Sequence, residues 1–141
     1  FVPPENWHVT LRFLGSADPG PVAAALATVA VAPTTVTIGP VVDLLSDHSV
    51  VVPADGLGAW VSAVNRATRG LGESAIRRRF VGHITLARLN TRVRRNPALR
   101  PGVVGTPMST WFTATEFTLV AIRLDPDGAT YEVLDTFPAR A

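Results

Sequence analysis

The sequence of 141 residues contains no cysteine and a single methionine, Met108. The lack of cysteine excludes disulfide scaffolds, thiol nucleophiles, iron–sulfur clusters and thiolate zinc sites, and it suits a reducing cytoplasm. Long hydrophobic runs are also missing, because the longest, residues 22–32, is about half of the ~20 residues that a membrane span needs. We therefore expect a cytoplasmic protein without a membrane partner. Because the sequence opens at Phe1 and its single methionine is Met108, we also expect the natural start to lie upstream of Phe1.

Lysine is absent too, so all thirteen basic residues are arginine. Ten of them fall within residues 66–100, where Glu73 is the single acid, whereas both flanking regions carry more acids than bases. Arginine binds phosphate through a planar, bidentate fork. The central block, with its Arg77–Arg79 and Arg92–Arg95 clusters, therefore favours a phosphate-bearing or nucleic-acid partner; a solvated basic surface is the alternative.

The length and the 47% of hydrophobic residues fit one compact domain, residues 1–141, with two lobes. Long β segments with two helices between them favour an α+β fold with mostly antiparallel sheet. Since no long exposed apolar face is evident, a monomer is expected. Helices are predicted from Asp18 to about Val31 and from Leu57 to Leu71. Strands are predicted at residues 8–14, 34–45, 48–52, 83–89, 112–124 and 130–137, after an extended segment at residues 1–6.

Two of the three histidines share one sequence context. His8-Val9-Thr10-Leu11 and His83-Ile84-Thr85-Leu86 both read His, β-branched residue, Thr, Leu within predicted strands. The period of two places each histidine and its threonine on one face of the strand, about 7 Å apart, with the apolar residues on the other face. Each motif therefore offers an imidazole and a hydroxyl to the same surface.

Two such pairs suit the in-line cleavage of a phosphodiester. The reaction needs a base at the attacking oxygen and an acid at the leaving oxygen, and two imidazoles, which titrate near neutrality, can divide these roles. The hydroxyls of Thr10 and Thr85 can donate to the non-bridging oxygens, where charge is stabilised. Strand periodicity also places Arg12 on the face of His8 as a cation. This chemistry requires no metal or other cofactor.

Other interpretations of the histidines stay open at this point. A single His-x-Thr in a strand is commonly a hydrogen-bonded structural pair. A metal site is incomplete, because neither histidine has a carboxylate at ligand spacing. The third histidine, His48, is expected at a strand edge without a functional role. Ser-His-Asp hydrolysis lacks a nucleophile-elbow signature.

The segments WHVTLRFLG (7–15) and FVGHITLARL (80–89) resemble the 2H phosphoesterase superfamily, which is named for its two His-x-Thr motifs. Within it the chain is similar to the RNA 2′,3′-cyclic phosphodiesterases, once called 2′-5′ RNA ligases. The lead-in VPPENWHVTLRFLG (2–15) and the closing LDPDGATYEVLDTFP (124–138) match that family as well. The family normally has a strand and a helix upstream of this lead-in, and the chain as given begins after them.

The resemblance implies a bilobal fold with pseudo-twofold symmetry, in which each lobe is an antiparallel sheet with helices packed outside. One motif lies in each lobe, and the active site lies in the cleft between them. It also implies hydrolysis of RNA 2′,3′-cyclic phosphates to 2′-phosphomonoesters. His83 would activate water and His8 would protonate the 3′ leaving oxygen, while Thr10 and Thr85 would bind the phosphate.

Two further site residues come from this resemblance. Arg88 matches the arginine that closes the second motif, where it contacts phosphate or base; because strict alternation places it opposite His83, this role requires a β-bulge or the end of the strand nearby. Phe13 matches a family phenylalanine that either stacks on a base or packs in the core. The alternatives to this enzyme are a non-catalytic RNA-end binding module and a cyclic phosphodiesterase or 2′-5′ ligase that acts on another nucleotide.

Overall fold

The computed structural model describes residues 1–74 and 79–140, which fall into two compact units. The first unit comprises Phe1–Thr10, Thr35–Leu57 and Arg79–Phe112. The second comprises the described residues of Leu11–Thr34, Gly58–Arg78 and Thr113–Ala141. The α+β class with antiparallel sheets, predicted from the sequence, is confirmed.

The helices and strands of the described residues alternate irregularly along the chain. The helices are α1 (Pro19–Leu26), α2 (Gly58–Ala67) and α3 (Thr91–Arg95), with 3₁₀ turns at Pro4–Asn6 and Pro97–Leu99. The strands are β1 (Thr34–Ile38), β2 (Asp43–Leu45), β3 (Ser49–Asp55), β4 (His83–Arg88), β5 (Thr110–Ala114), β6 (Glu116–Asp125) and β7 (Gly128–Pro138).

Strand β3 is the centre of the sheet in the first unit. It pairs antiparallel with β2, with β1 and with β4. Its Val50, Val51 and Val52 are all buried, as expected for a strand that is covered on both faces. Val50 also packs against Val42 and Ala87 in a small apolar core. The strand that carries the second motif, β4, therefore lies against the most buried strand of the unit.

The second unit packs two helices and the β6–β7 hairpin. Asp18 caps α1, because its carboxylate accepts from the backbone N–H of Gly20. In α2 the buried residues Trp60, Val61 and Val64 form one face. The Trp60 ring meets Phe117 edge-on at 6.0 Å, and Phe117 stacks on Phe137 at 5.2 Å. These aromatic rings form the core between the helix and the hairpin.

Several predicted elements differ from the observed ones. Helix α1 ends at Leu26 rather than near Val31. The long strand predicted at 112–124 is two strands that break at Thr115, since β5 joins the five-stranded sheet and β6 pairs with β7. The predicted extended segment at residues 1–6 contains a 3₁₀ turn, because the fixed φ of Pro4 suits the first position of a helical turn.

Helix α3 was not predicted from the sequence. The side chain of Asn90 caps it by accepting from the backbone N–H of Val93 at 3.0 Å, and Pro97 follows its end at Arg95. Arg77 and Arg78, which belong to one of the arginine clusters in the sequence, lie outside the described residues. None of the described helices is both long and apolar enough to cross a membrane.

Candidate active site

The segment before the first motif is fixed alongside β4 in the first unit. The 3₁₀ turn is closed by hydrogen bonds from the N–H of Asn6 to the Pro3 carbonyl and from the N–H of Trp7 to the Pro4 carbonyl. The Trp7 indole donates to the Val2 carbonyl at 2.9 Å, and the Val2 N–H donates to the Leu86 carbonyl of β4 at 2.8 Å. The Pro-Pro-Glu-Asn lead-in thus positions His8 at the edge of β4, the strand that carries the second motif.

The two motifs are joined by an antiparallel β-bridge between Val9 and Ile84. In an antiparallel register this pair places His8 across from Thr85, and Thr10 across from His83. Because these four residues neighbour the bridge positions, their side chains share the face opposite to Val9 and Ile84. Residues directly opposite lie about 5 Å apart at Cβ, and diagonal ones roughly 7 Å apart. The two histidines occupy one diagonal of this four-residue His–Thr patch and the two threonines the other.

Both imidazoles are oriented by the same local hydrogen bond. Nδ1 of His8 lies 2.7 Å from the carbonyl of Asn6, and Nδ1 of His83 lies 2.8 Å from the carbonyl of Val81, in each case two residues upstream. A carbonyl can only accept, so Nδ1 carries the proton and donates. The neutral ring then has its lone pair on Nε2, which is the nitrogen that can take or return a proton.

A β-bulge in β4 brings Arg88 onto the face of His83. His83, Ile84 and Thr85 pair in order with Pro53, Val52 and Val51, but the next residue of β3, Val50, pairs with Ala87. The skipped residue, Leu86, shifts the alternation by one position. Arg88, opposite Ser49, therefore points to the same face as His83 and Thr85. This is the irregularity that the sequence required for a role of Arg88 at the site.

Gly82 is a residue of the site that the sequence reasoning did not single out. Its carbonyl accepts from the N–H of Ala54 at 2.9 Å, and a Cβ built on it would lie 2.1 Å from the Ala54 carbonyl oxygen. Only glycine allows the chain to approach β3 this closely just before His83. The signal in the sequence was a glycine directly before the second His-x-Thr motif, which marks a close backbone approach.

Arg12 and Phe13 belong to the second unit, whereas the His–Thr patch belongs to the first. The chain bends at Leu11 instead of continuing the predicted strand, which is reduced to the single bridge at Val9. The guanidinium of Arg12 donates to the hydroxyl and carbonyl of Thr68 and to the carbonyls of Leu71 and Glu73. Its terminal nitrogens are thus engaged at the end of α2. Phe13 is 61% exposed and does not pack in the core.

The patch is partly open, since His83 and Thr85 are half-buried whereas His8, Thr10 and Arg88 are exposed. The structure therefore brings five of the seven proposed site residues together on one unit. Both motifs lie in that unit, where the Val9–Ile84 bridge joins them. Within residues 1–74 and 79–140, no three His, Asp or Glu side chains are arranged to hold a metal ion.

The fold is that of the LigT-like 2H phosphoesterases. This finding confirms the resemblance seen in the sequence. The chain is similar to TT0787 of Thermus thermophilus, with 27% identity and a TM-score of 0.78 over 99% of this chain and 81% of that one. It is also similar to E. coli LigT complexed with 3′-AMP, with 25% identity and a TM-score of 0.71 over 96% of this chain and 78% of that one.

A structure described as a phosphoesterase gives the same figures, 25% identity and a TM-score of 0.71 over 96% of this chain and 78% of that one. No protein-family model matches the sequence, and no curated protein matches it. Together, the fold and these neighbours support a phosphoesterase.

Proposed function

We propose that this chain hydrolyses 2′,3′-cyclic phosphate ends of RNA to 2′-phosphomonoesters, with His8 and His83 as the acid–base pair and without a metal ion. The observation that carries this proposal is the register of Val9 and Ile84, which puts two His-x-Thr motifs into one patch. Two imidazoles on a diagonal of the patch can contact the attacking oxygen and the leaving oxygen on opposite sides of one phosphorus atom, as in-line displacement requires.

In the proposed step, Nε2 of neutral His83 takes a proton from water while the water oxygen bonds to phosphorus. The bond between phosphorus and O3′ breaks, and protonated His8 gives its Nε2 proton to O3′. The product is a 2′-phosphomonoester with a free 3′-hydroxyl. The Nδ1 hydrogen bonds to Asn6 and Val81 hold both rings in the orientation that presents Nε2.

The threonines and Arg88 complete the proposed phosphate site. The hydroxyls of Thr10 and Thr85 lie on the other diagonal of the patch and donate to the non-bridging oxygens, where negative charge grows in the transition state. Arg88, brought to this face by the bulge, contributes a cation further along β4. Arg12 is not assigned to the substrate, because both of its terminal guanidinium nitrogens already donate to Thr68, Leu71 and Glu73.

The 3′-AMP in the similar LigT structure supports a ribonucleotide as the substrate class, since 3′-AMP carries its phosphate on the 3′ oxygen of the ribose. A second function uses the same step. If a 5′-hydroxyl of RNA replaces water as the nucleophile, the product is a 2′–5′ phosphodiester, which is the ligase alternative.

The test is incubation with a short RNA that ends in a 2′,3′-cyclic phosphate, in excess chelator, followed by identification of the phosphate position. The proposal expects a terminal 2′-phosphate, with no dependence on added metal. A 3′-phosphate product would contradict the assigned leaving group. Salt-sensitive binding of the RNA without turnover would instead favour the RNA-end binding module.

A further inference from the structure

A second polar site lies at the far end of β4 and is not part of the His–Thr patch. It is a cavity of about 550 Å³ in the first unit. The residues that line it come from the turn between β2 and β3 and from α3, and they are Ser46, Asp47, His48, Thr91, Arg94 and Arg95. The N–H of Leu89, next to Arg88, donates to the His48 carbonyl at 2.8 Å, which fixes the turn to the end of β4.

The charge of this cavity favours an anion. Arg94 and Arg95 contribute two positive charges, and Asp47 is the one acid in the lining. The carboxylate of Asp47 is bound by Arg100 at 3.0 Å, so its charge is already compensated. Arg94 donates an N–H to Nε2 of His48 at 3.4 Å, which is a long hydrogen bond. A hydrogen bond from the same N–H to a phosphate oxygen would be shorter and stronger. Hydroxyls of Ser46 and Thr91 supply further donors.

We propose that this cavity binds a backbone phosphate of the same RNA whose cyclic end occupies the His–Thr patch. The inference rests on the proposed function and adds to it a second contact with the RNA chain, several nucleotides away from the reacting end. Asn90 follows His83 by seven positions, which is about 23 Å at the rise of a strand. At about 3.4 Å per phosphate of a stacked strand, an RNA end of about seven nucleotides spans this distance. Arg88 lies between the two sites on the face of the patch.

The experiment compares two substrates with 2′,3′-cyclic ends, a dinucleotide that reaches only the patch and an octanucleotide that reaches the cavity. The double variant Arg94→Ala/Arg95→Ala removes both cationic forks. We expect kcat/KM for the octanucleotide to fall about tenfold or more through KM, with no change for the dinucleotide. The salt slope of octanucleotide binding becomes shallower by about 0.7 for each phosphate that the variant no longer binds.

Arg92→Ala is the matched control, since Arg92 lies in the same helix but does not line the cavity. An equal loss for Arg92→Ala and for the double variant would overturn the site, because it would mean that only the overall positive field matters. Equal kcat/KM for both RNA lengths in the unaltered protein would overturn it as well.

A binding titration separates this proposal from the proposed function. A labelled octanucleotide with a terminal 2′-phosphate is titrated with the same variants, so that no turnover is needed. If the unaltered protein hydrolyses neither substrate, the proposed function fails, whereas a selective loss of binding in the double variant still supports the cavity. If the double variant binds inorganic phosphate less well but the octanucleotide equally well, the cavity is a site for free phosphate and the RNA proposal is wrong.

Discussion

At the scale of single residues, the phosphate-binding role proposed for the threonines of the patch can be tested separately from folding. Thr85→Val keeps the shape of the side chain and removes the hydroxyl that is proposed to donate to a non-bridging oxygen. We expect kcat to fall about 10²-fold, as for the loss of one oxyanion donor, with little change in melting temperature. Thr85→Ser keeps the donor and should retain most of the activity. A Thr85→Val variant with unchanged kcat would remove this residue from the phosphate site.

Arg12, which directly follows the first motif, makes hydrogen bonds that we expect to stabilise the fold. Its guanidinium donates to Thr68, Leu71 and Glu73, and the short ammonium of a lysine cannot serve all of these acceptors. Arg12→Lys is therefore expected to destabilise the protein by about 2–3 kcal/mol, measured by chemical or thermal unfolding. An unchanged unfolding free energy with a reduced rate would return Arg12 to the substrate, as strand periodicity first suggested.

The same residue explains a limit of the sequence reasoning. Alternation places Arg12 beside His8 and Thr10 only if the strand continues, and the bend at Leu11 ends it. Whether a strand continues depends on its partner, and the partner of Val9 lies 75 residues away at Ile84. The identity of the two motifs could thus be predicted from local pattern, whereas their register against each other could not.

At the scale of elements, β4 combines a close approach at its start with a bulge near its end. Gly82→Ala would place a Cβ 2.1 Å from the Ala54 carbonyl oxygen and force the segment before His83 away from β3. We expect a loss of about 1–3 kcal/mol of stability, together with a reduced turnover of a cyclic dinucleotide.

Gly102→Ala is the matched control for Gly82→Ala, since a Cβ built at Gly102 meets nothing within 4 Å. Its stability and turnover should stay close to those of the unaltered protein. Equal behaviour of the two variants would show that the contact between Gly82 and Ala54 does not position His83.

The bulge in β4 illustrates what the sequence could and could not predict about an element. The resemblance named Arg88, and the period of two showed that its role required an irregularity. Nothing in HITLAR itself marks Leu86 as the skipped residue, because the bulge follows from the pairing of Val50 with Ala87 in the buried core. Helix α3 escaped prediction for a related reason, since five residues are too few for a periodic pattern.

At the scale of the whole molecule, the RNA contacts proposed for the central arginine block predict a difference between long and short substrates. Of its members in the first unit, Arg88, Arg94 and Arg95 lie along β4 or line the cavity beyond it. We expect kcat/KM for an octanucleotide to fall steeply as salt rises from about 50 to 200 mM, and that for a dinucleotide to change little. Equal salt dependence for both lengths would mean that these arginines do not contact the RNA chain.

The most direct test of the central claim measures the turnover of a 2′,3′-cyclic dinucleotide by His8→Ala and His83→Ala, with circular dichroism to verify folding. Since each imidazole supplies one proton transfer of the same step, each variant should lose at least about 10²-fold in kcat. The unaltered protein should show a bell-shaped pH profile, and added imidazole should restore part of the lost rate. Near-normal turnover by either folded variant would contradict the acid–base pair.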